Sequence, residues 1–170
     1  MTKIKMPGLR ILKTALAVFL TLSLSYIRSS EAIPFYGAIA AVICLKSDVD
    51  GTIKIGVNRV IGTLIGGFTG LIYLLTFKSM KLNPYINYAL VSLVIIYLIW
   101  LMSNLNKPNA ITIMCIVFIS ITINHGESTE FPVDFALNRV IDTLVGVLVA
   151  IFINWSDFEI RKYIKNKIDS

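Results

Sequence analysis

Apolar residues come in long runs along this chain, separated by short polar clusters, and the runs set the predicted elements. Six stretches reach or approach membrane-crossing length: Ile11 to Ile27, Ile33 to Leu45, Val57 to Phe77, Tyr85 to Met102, Pro108 to Ile123 and Phe135 to Trp155. A hydrocarbon core about 30 Å thick takes roughly 20 apolar residues as helix, and tilting or snorkelling ends relax that figure. The breaks are rich in turn formers and charge: Arg28 to Glu31, Lys46 to Gly51, Lys78 to Pro84, Ser103 to Lys107 and His125 to Glu130. No run alternates with period two, so a transmembrane barrel is set aside. The pattern predicts an all-α integral membrane protein with six transmembrane helices.

Composition narrows the class. Of 170 residues, 56% are hydrophobic and only 15% charged, which excludes ordinary soluble domains and disordered chains. Mean hydropathy is +0.77. Sixteen Lys and Arg against ten Asp and Glu give +6, a balance that by itself suits nucleic acid. The basic residues flank apolar runs instead of forming a stripe, so no nucleic-acid partner is expected.

Charge also orients the chain. With the N-terminus inside, twelve Lys and Arg fall on the cytoplasmic side, and only Arg28, Lys78, Lys81 and Arg139 fall outside. That asymmetry places both termini in the cytoplasm of a multi-pass protein of the cytoplasmic membrane. Lys3, Lys5, Arg10 and Lys13 ahead of the first run imitate a secretory signal, but no small-x-small cleavage site follows, so the run is read as an uncleaved span. Trp155 and Tyr163 suit an interfacial aromatic belt. Residues 156–170 read as a short basic tail, either solvated or lying on the membrane surface as an amphipathic helix.

The sequence from Asn58 to Gly66 returns eighty residues later from Asn138 to Gly146, with seven of nine positions identical. Residues 1–154 therefore read as a membrane module of two three-helix repeats, about 9–78 and about 84–155. Three crossings is an odd number, so the second repeat must oppose the first, giving inverted repeats of the kind many secondary transporters share. The middle run of each half is short, and each carries a proline at its start, Pro34 and Pro108, where the missing N–H has no partner to lose. Short helices at matching positions point to a substrate site between the halves or to ordinary spans that are tilted.

Asp142 stands alone in the last apolar run, where the first repeat has Gly62. An ionised carboxylate near the membrane centre costs on the order of 3 kcal/mol even on the mildest scale. Either Arg139, three residues earlier, compensates it locally, or it is a proton-binding carboxylate that couples transport to the proton gradient. Arg59 and Arg139, each preceded by an asparagine, Asn58 and Asn138, are candidates to bind organic carboxylates, since guanidinium pairs with carboxylate bidentately. Snorkelling to lipid phosphate is the competing role. Gly62, Gly66 and Gly70 recur every fourth residue and make a small-residue face for close helix packing, with Gly146 and Ala150 or a second subunit as the expected partner. His125 sits in a polar break, and Cys44 and Cys115 lie in apolar runs as packing residues. No enzymatic motif, phosphate-binding loop, metal-ligand spacing or cofactor signature occurs.

The residues from Gly8 to Val18, from Asn58 to Gly67 and from Ala136 to Gly146 together resemble the aromatic acid exporter family, within the fusaric acid resistance protein superfamily. The likeness runs from about Gly8 to Trp155. It implies a six-helix inner-membrane module that exports aromatic carboxylates or related toxic organic anions, driven by the proton gradient. Plant aluminium-activated malate channels look like distant relatives and work as dimers, so the resemblance implies a homodimer. The expected function is thus a proton-coupled secondary exporter, with membrane lipid, organic anion and protons as partners. The alternatives are a passive organic-anion channel and a non-transporting scaffold or partner subunit.

Overall fold

The structure, a computed structural model, describes residues 8–28, 34–77, 83–124 and 132–168, and every regular element among them is helical. The helices are α1 (Leu9–Arg28), α2 (Phe35–Cys44), α3 (Val49–Phe77), α4 (Pro84–Asn104), α5 (Ile111–Asn124) and α6 (Pro132–Ile168), with a 3-10 turn at Pro108–Ala110 leading into α5. Four of them are long and apolar enough to cross a membrane: α1, α3, α4 and α6. The ten residues of α2 and fourteen of α5 give only about 15 and 21 Å of helix, short of a full hydrocarbon core.

Local chemistry accounts for the helix ends. Pro34 precedes α2, and its carbonyl accepts from the Ala38 N–H at 3.0 Å. Asp48 caps α3, its carboxylate accepting from the Gly51 N–H at 2.6 Å. Asn83 does the same for α4 through the Tyr85 N–H at 3.0 Å, with Pro84 at the first helical position. The α4 C-terminus closes on Asn106 at φ 55°, with the Lys107 N–H bonded to the Met102 carbonyl at 3.1 Å. Asparagine tolerates that left-handed conformation, so the chain reverses here without a glycine.

Helix α6 runs unbroken through Ile168, so most of the basic tail is helical. Neither glycine nor proline interrupts residues 156–168, and Asp157 bonds Arg161 one turn later at 2.8 Å, so nothing stops the helix where its apolar stretch ends.

The helices group into two compact units, one of Met1–Gly56 with Asp142–Ser170, the other of Val57–Ile141. Both α3 and α6 contribute to each. The first unit has a core of small side chains: Ala17, Thr21 and Ser25 of α1, Ala40 and Ala41 of α2, and Ala150 of α6 are all fully or almost fully covered. A Cβ on Gly146 would strike the Gly37 carbonyl oxygen and come within 2.7 Å of the Ala40 methyl, so α6 approaches α2 backbone to backbone. The second unit has a bulkier core of Tyr73, Val91, Leu98, Met102, Met114 and Phe118. There the glycines of α3 face α5: a Cβ on Gly62 would lie 2.6 Å from the Ala110 carbonyl, one on Gly66 would strike the Met114 carbonyl, and one on Gly70 would lie 3.0 Å from Ile121.

The sequence repeat is also a repeat of environment. From Gly56 to Leu75 and from Ala136 to Trp155, eighteen of twenty paired positions share the same degree of burial, whether buried, half-buried or exposed. The outward positions are large and apolar in both copies, as at Leu64, Phe68 and Ile72 and at Leu144, Leu148 and Phe152.

Candidate functional site

Helix α1 is apolar on most faces but turns a polar stripe inward. Thr21 and Ser25 follow Ala17 at four-residue spacing, and the stripe ends at Arg28. The Thr21 hydroxyl donates to the Ala17 carbonyl at 2.7 Å, which satisfies it within its own helix. Opposite this stripe lies Asp142 of α6, 1% exposed, whose Oδ1 is 2.8 Å from Arg28 Nη2. Helix α2 closes the third side at Gly37, where a Cβ would sit 2.9 Å from the Thr21 methyl and 3.0 Å from the Asp142 carbonyl. Thr21, Gly37, Arg28 and Asp142 thus make a three-helix junction around one buried ion pair. Arg28 keeps 27% of its side chain exposed, but both of its terminal guanidinium nitrogens, like Asp142 Oδ1, are fully covered.

The structure gives Asp142 an ion-pair partner on another helix, Arg28. Arg28 stands at the close of an apolar run, and only the fold reveals that the run lies against α6. The same holds for Lys13. Its Nζ is 2.8 Å from Asp157 Oδ2 and 2.8 Å from Asn154 Oδ1. The buried Asn154 amide then donates to the Asp48 carbonyl at 2.7 Å and to Thr52 Oγ1 at 2.9 Å, tying α6 to the start of α3. The Lys13 ammonium holds the Asp157 carboxyl below the usual carboxylate range; Arg161 adds to this, and partial burial opposes it. The missed signal was a spacing: Lys13 and Arg28 are fifteen residues apart, and so are Asp142 and Asp157.

Arg59 on α3 and Arg139 on α6 both belong to the second unit, 7% and 4% exposed. In each, two guanidinium nitrogens are fully covered, a setting unlike the exposed head of an arginine that snorkels to lipid phosphate. Their neighbours Asn58 and Asn138 are half-buried, and Thr63 and Thr143, four residues on from each arginine, are buried as well. Cys44 is buried and Cys115 half-buried, both as thiols. His125, Lys78, Lys81 and residues 127–131 of the acidic loop lie outside the described residues.

Residues 14–153, more than four-fifths of the chain, match the fusaric acid resistance protein-like family. The chain belongs to that family. No curated protein and no solved structure matches it. Membership and four span-length apolar helices together make this fusaric acid resistance-like protein a multi-pass membrane protein. Transport across the membrane is the kind of function its family suggests, and the buried charges Arg59, Arg139 and Asp142 lie in α3 and α6, two of the four span-length helices.

Proposed function

We propose that the protein is a proton-coupled secondary exporter of aromatic carboxylates or similar organic anions. It works as a homodimer in the cytoplasmic membrane, its termini cytoplasmic and its two three-helix repeats opposed. The observation that carries the reading is the ion pair of Arg28 with Asp142, buried inside apolar helices. A scaffold has no need of such a pair, because charges in an apolar bundle are expensive and apolar side chains of the same volume pack at least as well.

In this reading Asp142 exchanges the proton. Deprotonated, it is held by Arg28 and fixes α1 on α6. Protonated, it releases Arg28, and a guanidinium left without its counter-charge in a covered position favours another arrangement of the helices. Arg59 and Arg139 take the substrate carboxylate, with Asn58 and Asn138 beside them as neutral hydrogen-bonding groups. The matched burial of the two Asn-Arg motifs supports assigning them the same role in the two repeats. An all-glycine face on one side of α3 and a backbone-close contact at Gly146 let short helices α2 and α5 sit tightly against their neighbours, a packing suited to elements that shift as rigid bodies.

The test is flux in proteoliposomes. Asp142→Asn should abolish uphill flux of an aromatic carboxylate driven by a pH gradient while leaving counterflow intact. Equal uphill flux in the variant would falsify the coupling role, and currents that reverse at the anion's equilibrium potential whatever the pH gradient would make the protein a passive channel.

A further inference from the structure

At the opposite end of α1 from Arg28, the first unit holds a pocket of about 260 Å³. It is lined by four cations, Arg10, Lys13, Lys46 and Arg161, and two carboxylates, Asp48 and Asp157. The acids are already engaged. Asp157 Oδ2 takes both Lys13 and Arg161 at 2.8 Å, and Asp48 caps α3 through the Gly51 N–H. Among the described residues, neither Arg10 nor Lys46 has an ion pair. The pocket therefore carries two uncompensated positive charges next to a rigid polar floor made by Asn154, its amide already committed to backbone and Thr52.

Position selects the ligand. The pocket lies where the apolar stretches of α1 and α6 end: Phe158 lines it, and Leu9, Leu12 and Trp155, next in the chain to the lining residues Arg10, Lys13 and Asn154, are exposed apolar side chains. A soluble anion would gain nothing from them, whereas a phospholipid places its phosphate at this depth and its chains beside those residues. Basic pockets between helices at the membrane surface recognise anionic headgroups in this way. We infer that the pocket of Arg10, Lys13, Lys46 and Arg161 binds the phosphodiester headgroup of an anionic phospholipid, with Arg10 and Lys46 supplying the net charge. Because the pocket joins α1, the α2–α3 turn and α6, an occupied site holds together the same helices that Lys13 and Asn154 connect.

Thermal unfolding of the full chain in mild detergent micelles tests this. Phosphatidylglycerol added to the micelles should raise the wild-type Tm on the order of 5 °C above phosphatidylcholine at the same concentration. The double variant Arg10→Gln/Lys46→Gln should lose that rise; among the described residues neither side chain makes a hydrogen bond or ion pair, so its fold is kept. Lys162→Gln/Lys165→Gln, which removes equal charge from the exposed end of α6, should keep the rise. An equal loss in this second variant would overturn the site in favour of diffuse attraction. A full rise with inorganic phosphate or benzoate alone would overturn the lipid assignment, as would a rise that survives in the first variant. None of these outcomes depends on whether Asp142 couples protons.

Discussion

Arg28 Nη2 lies 2.8 Å from Asp142 Oδ1, and the contact is the upper of two that fix α1 against α6. The lower is Lys13 Nζ on Asp157 Oδ2, also at 2.8 Å. Fifteen residues separate the basic pair along α1 and fifteen the acidic pair along α6, about 22 Å on each helix, so both contacts form only in one antiparallel register. The pairs differ in setting. Asp142 is covered, whereas Asp157 lies past the apolar stretch with a quarter of its side chain open.

The buried pair should show strong coupling. Removing one partner leaves a charge in a covered site, and Arg28→Met or Asp142→Leu alone is expected to destabilise the protein by about 3 kcal/mol. The double variant should recover about 2 kcal/mol of the summed loss, because no lone charge remains. Chemical unfolding of the four proteins in detergent measures this, and strictly additive effects would show that Arg28 and Asp142 do not act as a pair.

Glycines that look alike in the sequence should separate by what faces them. Gly66→Ala and Gly146→Ala drive a methyl into a backbone carbonyl, which cannot rotate away, and each should cost about 2 kcal/mol. Gly67→Ala meets only a Val140 methyl at 3.8 Å and gains helix propensity, so it should be neutral or stabilising by roughly 0.5 kcal/mol. Equal Tm values for the three variants would contradict the close approach.

Asn154 should matter more than an uncharged residue within a helix usually does. Asn154→Leu strips partners from Lys13, from the Asp48 carbonyl and from Thr52, at about 2 kcal/mol. The local readout is hydrogen exchange at Lys46, whose N–H is bonded to Thr52 Oγ1 at 3.0 Å, and at Gly51. Unchanged protection at both amides would refute the clamp.

Acid should loosen the lower contact first. The carboxyl of Asp157 is held below its ordinary value of about 3.9, chiefly by Lys13, so the folded state binds this proton less readily than the unfolded chain. The stabilisation is complete above that ordinary value and is lost as pH falls through the lowered one. Asp157→Asn should flatten the acid limb of a stability-against-pH curve below about pH 4, with Asp142→Asn as the comparison; identical acid limbs in Asp157→Asn and wild type would contradict the assignment.

Much of the helix plan was legible in the apolar runs, because burial in lipid or protein demands uninterrupted helix and the breaks carried Pro, Asn and Asp at capping positions. The sequence repeat carries into environment, since Asn58 to Gly66 and Asn138 to Gly146 share seven of nine residues and the burial of eight of nine positions. What could not be read was tertiary. Asp142 stood out as a charge in an apolar run, but its ion pair with Arg28 of the first helix could not be read from local spacing, which points only to Arg139. The glycine face of α3 was evident, yet a small-residue stripe does not name what fills it; α5 does, while Gly146 meets α2. Lys13, Lys46 and Arg161 were counted as inside charges that orient the chain, and their convergence on one pocket depends on three helix ends meeting.

The most direct test of the account is proton movement itself. Proteoliposomes carrying a pH-sensitive dye inside are given a gradient of an aromatic carboxylate such as benzoate, and the signal of protein-free vesicles is subtracted. The account predicts substrate-driven proton flux with the wild-type protein and none with Asp142→Asn, while both exchange labelled benzoate at equilibrium. Proton flux of the same size in Asp142→Asn would contradict it.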